Sequence, residues 1–306
     1  VAQFNDLNNQ LYDAGWRAQF SSSLMMPIMN FINNIAYLER IFETIDEPVT
    51  VKDAEHAIEM PKIRGKVTFD HVTFAYDETK TILKDVSFTV NPGESVALVG
   101  PTGAGKSTIV NLISRFYNVN DGKVLIDDQD IANVTIHSLR AQMGIMMQDS
   151  FIFSGTIADN IRYGKLDATQ EEIEKAGKIV CADPFIREMP KGYETQVRER
   201  GSMLSQGQKQ LISFARTLLC DPAILILDEA TSSIDVQTEK ALQTGLNRML
   251  KGRTSFIIAH RLSTIRGCDK IMYIDDGGIA EAGTHEELMK KKGRYYKLYT
   301  AQKSLH

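Results

Sequence analysis

Residues 100–108 read Gly-Pro-Thr-Gly-Ala-Gly-Lys-Ser-Thr and follow the apolar run Val96-Ala97-Leu98-Val99. A strand that empties into a glycine-rich turn and then a helix lets consecutive backbone N–H groups converge on an anion, with no Cβ in the way. The positive end of the helix dipole faces the same point. Gly100, Pro101, Thr102, Gly103, Ala104 and Gly105 would cradle the phosphates of a nucleotide. Lys106 would bring a mobile charge to the β- and γ-phosphates and Ser107 a hydroxyl to Mg²⁺, with Thr108 beside them. A ligand-free strand–helix turn is the alternative reading of these residues taken alone.

Two further constellations lie downstream. Ile224-Leu225-Ile226-Leu227 is a short unbroken apolar run, typical of a parallel strand covered on both faces, and Asp228-Glu229 closes it. Carboxylates at the carboxyl edge of a parallel sheet face a bound phosphate. Asp228 would then join the Mg²⁺ shell, and Glu229 would orient or deprotonate the attacking water. The same pair also suits the start of a helix, where acidic groups favour the dipole. Leu204-Ser205-Gln206-Gly207-Gln208 precedes a helix rich in apolar residues from Leu211 to Leu219, and Ser205 by itself is an ordinary N-cap.

In this order and at this spacing, residues 65 to 300 resemble the ATP-binding domain of ATP-binding cassette (ABC) exporters. The resemblance assigns roles that the residues do not declare individually. Tyr76, in Phe-Ala-Tyr-Asp, would stack on adenine. Gln148, in Met-Met-Gln-Asp, would touch Mg²⁺ and sense the transmembrane domains. Asp235, in Ser-Ser-Ile-Asp, would meet the partner domain, and His260, in Ile-Ile-Ala-His-Arg, the γ-phosphate. Glu199-Arg200-Gly201 resembles the segment that precedes the signature in exporters. Ser205, Gln206, Gly207 and Gln208 correspond to the signature itself, which approaches the γ-phosphate held by a second ATPase domain. Read singly, Tyr76 is equally a strand-end aromatic, Gln148 a surface polar group, Asp235 a cap and His260 a core histidine.

The implied fold is α/β: a P-loop NTPase of ABC type with a mixed-sheet core, an antiparallel β subdomain carrying Tyr76, and a helical subdomain over about 149–220. The implied activity is ATP hydrolysis with Mg²⁺, coupled to export across a membrane from its cytoplasmic face. Partners would be a second ATPase domain and transmembrane domains, with no nucleic acid. A soluble ABC ATPase uncoupled from transport, and a regulatory module that clasps ATP with little turnover, are the alternatives. Gln206 and Arg198 stand where the family commonly has Gly. With Glu229 and His260 intact, that pattern resembles the competent half of a heterodimeric exporter; a homodimer is the other option.

Composition agrees with this reading. A net charge of −4 argues against a nucleic-acid footprint, which needs a basic face. Cys181, Cys220 and Cys268 are three in number and widely separated, which suggests neither a disulfide framework nor a metal site. Neither a signal peptide nor a run of about 20 apolar residues is visible.

The positioning elements follow. Residues 1–46 read as helical, with Leu7, Leu11, Ala14 and Ala18 at helical spacing, and 47–64 as a linker; 65–306 form the ATP-binding domain. Val67, Phe69, Val72 and Phe74 alternate as half-buried strands, as do Val86 to Val90. A helix is expected over about 106–116 and a hairpin around Asn120-Asp121-Gly122. Thr169 with Glu172 and Thr284 with Glu287 form capping boxes, and Thr254–Ala259 and Lys270–Ile274 are further strands. Phe4 to Tyr37 resembles an exporter's second intracellular loop entering its fifth membrane helix, and Leu38 to Glu43 the stretch after its sixth. A hairpin of two helices of about 20 residues each is expected between them and is missing. Either it has been deleted or these residues are parts of a larger membrane protein. An ordinary amphipathic helix pair is the third possibility.

Overall fold

A computed structural model describes residues 2–77, 79–147, 151–228, 236–259 and 261–303. They divide into two units, residues 1–50 and 51–306.

The first unit is one helix, α1 (Ala2–Ile45), continuous through Pro27. Its large apolar side chains point in all directions and stay exposed, among them Phe4, Leu11, Trp16, Met26 and Phe31. A helix with no single apolar stripe cannot bury itself against one surface. No helix among the described residues is long and apolar enough to cross a membrane.

The second unit begins with two antiparallel strands, β1 (Val67–Ala75) and β2 (Thr81–Val90). Next come β3 (Ser95–Val99), α2 (Lys106–Ile113), β4 (Asp121–Ile126) and β5 (Gln129–Asp130). Strands β2-β1-β4-β5 form one sheet. The expected hairpin at Asn120-Asp121-Gly122 is absent: Asp121 and Gly122 open β4, which pairs with β1 instead. The tight turn lies at Asp127–Asp128, between β4 and β5, where both residues take left-handed φ of 50° and 65°. Short polar Asp tolerates that region, as a two-residue hairpin turn requires. The helix expected to reach residue 116 ends at Ile113, because Arg115 turns left-handed with φ 51°.

The chain continues through α3 (Ile136–Arg140) and β6 (Met143–Met146) into the helical region. There a small pair, β7 (Gly155–Thr156) and β8 (Gln196–Val197), brackets α4 (Ile157–Arg162), α5 (Gln170–Ile179) and α6 (Asp183–Glu188). Helix α7 (Gln206–Leu219) leads to β9 (Ile224–Asp228), α8 (Val236–Leu250), β10 (Thr254–Ile258) and α9 (Leu262–Gly267). Strands β11 (Lys270–Asp275) and β12 (Gly278–Gly283) precede α10 (His285–Lys291) and α11 (Arg294–Lys303). The central sheet has order β12-β11-β3-β10-β9-β6 and is parallel except for β12.

Strand β3 is buried throughout, and its alternation divides two cores. Val96 and Leu98 join the antiparallel sheet and α2, whereas Ala97 and Val99 face the helical side. Ile109, Leu112 and Ile113 of α2 are fully buried in the first core. Each contributes about 1.5–3 kcal/mol of transfer free energy, so packing, not propensity, holds this short helix. Leu112→Ala would cost about 2–5 kcal/mol. Within the same unit the segment before β1 is tied down: Asp127 accepts from the backbone N–H groups of Arg64, Gly65 and Lys66. Ser138 accepts from Met60 N–H at 2.7 Å, and the buried Arg115 guanidinium donates to Lys52 O at 3.1 Å.

Candidate functional site

The glycine-rich turn has the geometry its composition demands. Gly100 holds φ 139°, and a Cβ there would sit 2.1 Å from Ile274 O, so only Gly fits. Gly103 and Gly105 also hold positive φ, 80° and 106°. Gly105 is the N-cap of α2 and offers no side chain, so the first amides of the helix receive no side-chain cap. Orphan amides and the dipole together make an anion site. Lys106 Nζ donates to Gly100 O at 2.9 Å and Pro101 O at 2.8 Å, which folds the ammonium over the loop. Burial lowers the Lys106 pKa, while the Asp228 carboxylate opposes that shift.

Thr102, Gly103, Gly105, Lys106, Ser107 and Thr108 line a cleft of about 280 Å³ with Asp228 opposite them. Tyr76, Ile82 and Ile258 supply its less polar walls. The cleft stands at the carboxyl ends of neighbouring parallel strands, β3, β10 and β9, with Asp228 in register with Ile258. Ser107 and Asp228 are hard oxygen donors on one cleft and fit a Mg²⁺ ion. Gly100, Pro101 and Ala104 shape the turn from behind, Ala104 donating its N–H to Pro101 O at 3.3 Å.

Tyr76 is about half exposed, and its hydroxyl lies 3.2 Å from Thr108 Oγ1. Its ring stands edge-to-face with Phe74, centroids 4.9 Å apart at 87°, and with Tyr117, 4.9 Å apart at 84°.

Ser205, Gln206, Gly207 and Gln208 do not line this cleft; they start α7. Ser205 Oγ accepts from Gln208 N–H at 3.2 Å, and Gln208 Oε1 accepts from Ser205 N–H at 3.0 Å. Gln206 is exposed and Gly207 buried. Gln148, Glu229, Asp235 and His260 lie outside the described residues.

Residues 83–232 match the family described as ABC transporter. The chain carries an ABC transporter ATP-binding domain. It is 49% identical over 292 residues to the ABC transporter ATP-binding protein YfiC of Bacillus subtilis, covering 93% of this chain and 48% of that protein. It is 40% identical over 350 residues to the fatty acid ABC transporter ATP-binding/permease protein of Mycobacterium bovis, covering 98% of this chain and 55% of that one. The structure of a bacterial Atm1-family ABC exporter with ATP bound superposes with a TM-score of 0.80 at 44% identity, over 88% of this chain and 47% of that chain. The chain spans about half the length of the curated relatives it matches.

Two residues of the ABC domain carry structure that the sequence pattern did not single out. Arg216 of α7 donates to Asn160 O at 2.8 Å, Phe151 O at 2.9 Å and Asn160 Oδ1 at 3.0 Å. Burial lowers its pKa, and these acceptors satisfy the charge that burial strips of water. Its one visible signal is a basic residue inside the apolar run Leu211–Leu219. Tyr117 follows α2 and touches Tyr76, a contact that no local pattern announces.

Proposed function

We propose that this chain binds and hydrolyses ATP as the engine of an ABC exporter. The observation that carries the reading is the convergence of the uncapped α2 amides, Lys106, Ser107 and Asp228 on one cleft. Phosphoryl transfer needs little covalent chemistry from a protein; it needs positioning and charge stabilisation. The α2 amides and Lys106 bind the β- and γ-phosphates, and Tyr76 stacks on the base. Bound Mg²⁺, held by Ser107, Asp228 and Gln148, supplies neutralisation of phosphate charge. Glu229 orients the attacking water and accepts its proton, and His260 contacts the γ-phosphate.

The second half of each site comes from the signature segment of another ATPase domain; in return, Ser205–Gln208 of this chain face the partner's γ-phosphate and Asp235 meets the partner. Gln206 replaces a residue for which close backbone approach favours Gly. Together with Arg198, it supports a heterodimer in which this chain is the hydrolytically competent half. The transmembrane domains of the exporter set the substrate, and the ABC domain works at the cytoplasmic face of the membrane. The alignment to the Mycobacterium bovis protein has 350 positions, although 98% of a 306-residue chain is about 300 residues. About 50 positions of that relative therefore have no counterpart here, room for a hairpin of two membrane helices of about 20 residues each. This supports residues 1–46 being two flanks of membrane segments.

Glu229→Gln tests the assignment. With its partner ATPase domain present, the variant is expected to lose more than about 100-fold in turnover and to accumulate a Mg-ATP-bound dimer, read by size-exclusion chromatography with light scattering. Unchanged turnover would remove Glu229 from the mechanism.

A further inference from the structure

We infer that Tyr117 is a positioning residue that braces Tyr76 as the platform for the nucleotide base. The inference rests on the reading of Tyr76 as that platform. Tyr76 lies just past the last residue of β1, so ladder hydrogen bonds do not fix its ring. Its hydroxyl, 3.2 Å from Thr108 Oγ1, holds one end of the ring, and two near-perpendicular neighbours hold its tilt. Phe74 is buried, and Tyr117 is about half exposed; each stands edge-to-face with Tyr76 at a centroid distance of 4.9 Å. Tyr117 also tilts against Phe74 at 5.7 Å, which closes a triangle of rings. Aromatic quadrupoles favour this geometry over a parallel sandwich, and rotating any one ring breaks two contacts.

The two tyrosines differ in what anchors them. Tyr117 follows a turn secured to α2 by Arg115 N–H donating to Leu112 O at 3.0 Å and Phe116 N–H donating to Asn111 O at 2.9 Å. The Arg115 guanidinium donates to Lys52 O at 3.1 Å and lies within hydrogen-bond reach of Val134 O. Tyr117 is thus carried on the same rigid piece as the phosphate loop. It does not line the cleft that holds Lys106 and Asp228; it stands behind Tyr76. The brace therefore sets the distance between base platform and phosphate cradle without touching the nucleotide.

Calorimetric titration of the 306-residue chain with Mg-ATP and with Mg-tripolyphosphate separates base from phosphate recognition. Tyr117→Ala is expected to weaken ATP binding about three- to tenfold, the equilibrium factor of one edge-to-face ring pair. Tripolyphosphate affinity should stay within about twofold, and Tyr117→Phe should restore ATP affinity. Unchanged ATP affinity in Tyr117→Ala, with a clear loss in Tyr76→Ala, overturns the brace alone. Parallel loss of both ligands in Tyr117→Ala and in the bulk-preserving Tyr117→Leu also overturns it, in favour of a structural role. Unchanged ATP affinity in Tyr76→Ala overturns the platform reading and the brace with it.

Discussion

Helices α2 and α7 both present an N-terminus to phosphate in the proposed cycle, and they are finished in opposite ways. Helix α2 starts from Gly105 at φ 106° with no side-chain cap, so its first amides are left for an anion. Helix α7 starts from Ser205 in an extended conformation, and Ser205 and Gln208 satisfy each other's backbone N–H groups. One end is open and, in the proposed cycle, binds this chain's own nucleotide directly. The other is self-satisfied and is stable without one. A signature of that kind need only exchange hydrogen bonds when a partner's nucleotide arrives, which suits a contact made and broken in each cycle. Elsewhere in the domain both finishes occur: α4, α5 and α10 carry boxes built on Thr156, Thr169 and Thr284, whereas α6 and α9 start without a side-chain cap. What sets α2 apart is that its bare start follows a glycine at φ 106° and opens on the cleft lined by Lys106 and Asp228.

The contrast can be broken most severely at Lys106. Lys106→Ala removes the only cation lining the cleft among the described residues and should lower ATP turnover by more than about 100-fold, measured as phosphate release. Gly100→Ala acts on the loop rather than on the charge. Its Cβ would meet Ile274 O at 2.1 Å with φ at 139°, so melting should show a loss of about 1–3 kcal/mol and weaker nucleotide binding.

The smallest effect sharpens the comparison through pH. Asp159 is held below its ordinary 3.8 by the Thr156 hydroxyl and backbone. Glu172 is held below 4.5 by Lys165 and then by Thr169, and Glu287 below 4.5 by the backbone and hydroxyl of Thr284. Depressed carboxylate pKa values mean that these caps stabilise fully above pH 4.5 and weaken as pH falls through the lowered values. The Ser205–Gln208 box is uncharged and should not titrate. Amide exchange, corrected for intrinsic rates, should therefore rise on acidification at the first turns of α4, α5 and α10 and stay level at α7. Equal opening at α7 would remove the distinction.

How much of this could be read beforehand depended on the range of the forces involved. The phosphate loop, the Ser205 cap and the boxes at Thr169 and Thr284 are local chemistry, set by residues within a few positions, and they stand where spacing put them. The turn at Asn120-Asp121-Gly122 was misleading because Asp-Gly looks the same in a hairpin and at a crowded strand crossing. Gly122 is needed since a Cβ would lie 2.2 Å from His71 O on β1, a long-range contact invisible locally. Tyr117 and Arg216 escaped for the same reason: their partners, Tyr76 and Phe151, are 41 and 65 positions away. Residues 1–46 showed helical spacing, but not that one helix would run through Pro27 with its apolar groups uncovered.

The most direct test of the open and closed helix ends is Ser205→Ala, followed in parallel by Mg-ATP affinity of the monomer and by its ATP-driven dimerisation with the partner ATPase domain in sedimentation. Losing the cap costs the fold about 1 kcal/mol, which the domain can absorb. The account predicts monomer affinity within about twofold of the parent chain and loss of the ATP-dependent dimer. A dimer that forms as before, or an affinity loss already present in the monomer, would contradict the assignment of Ser205 to the partner's site.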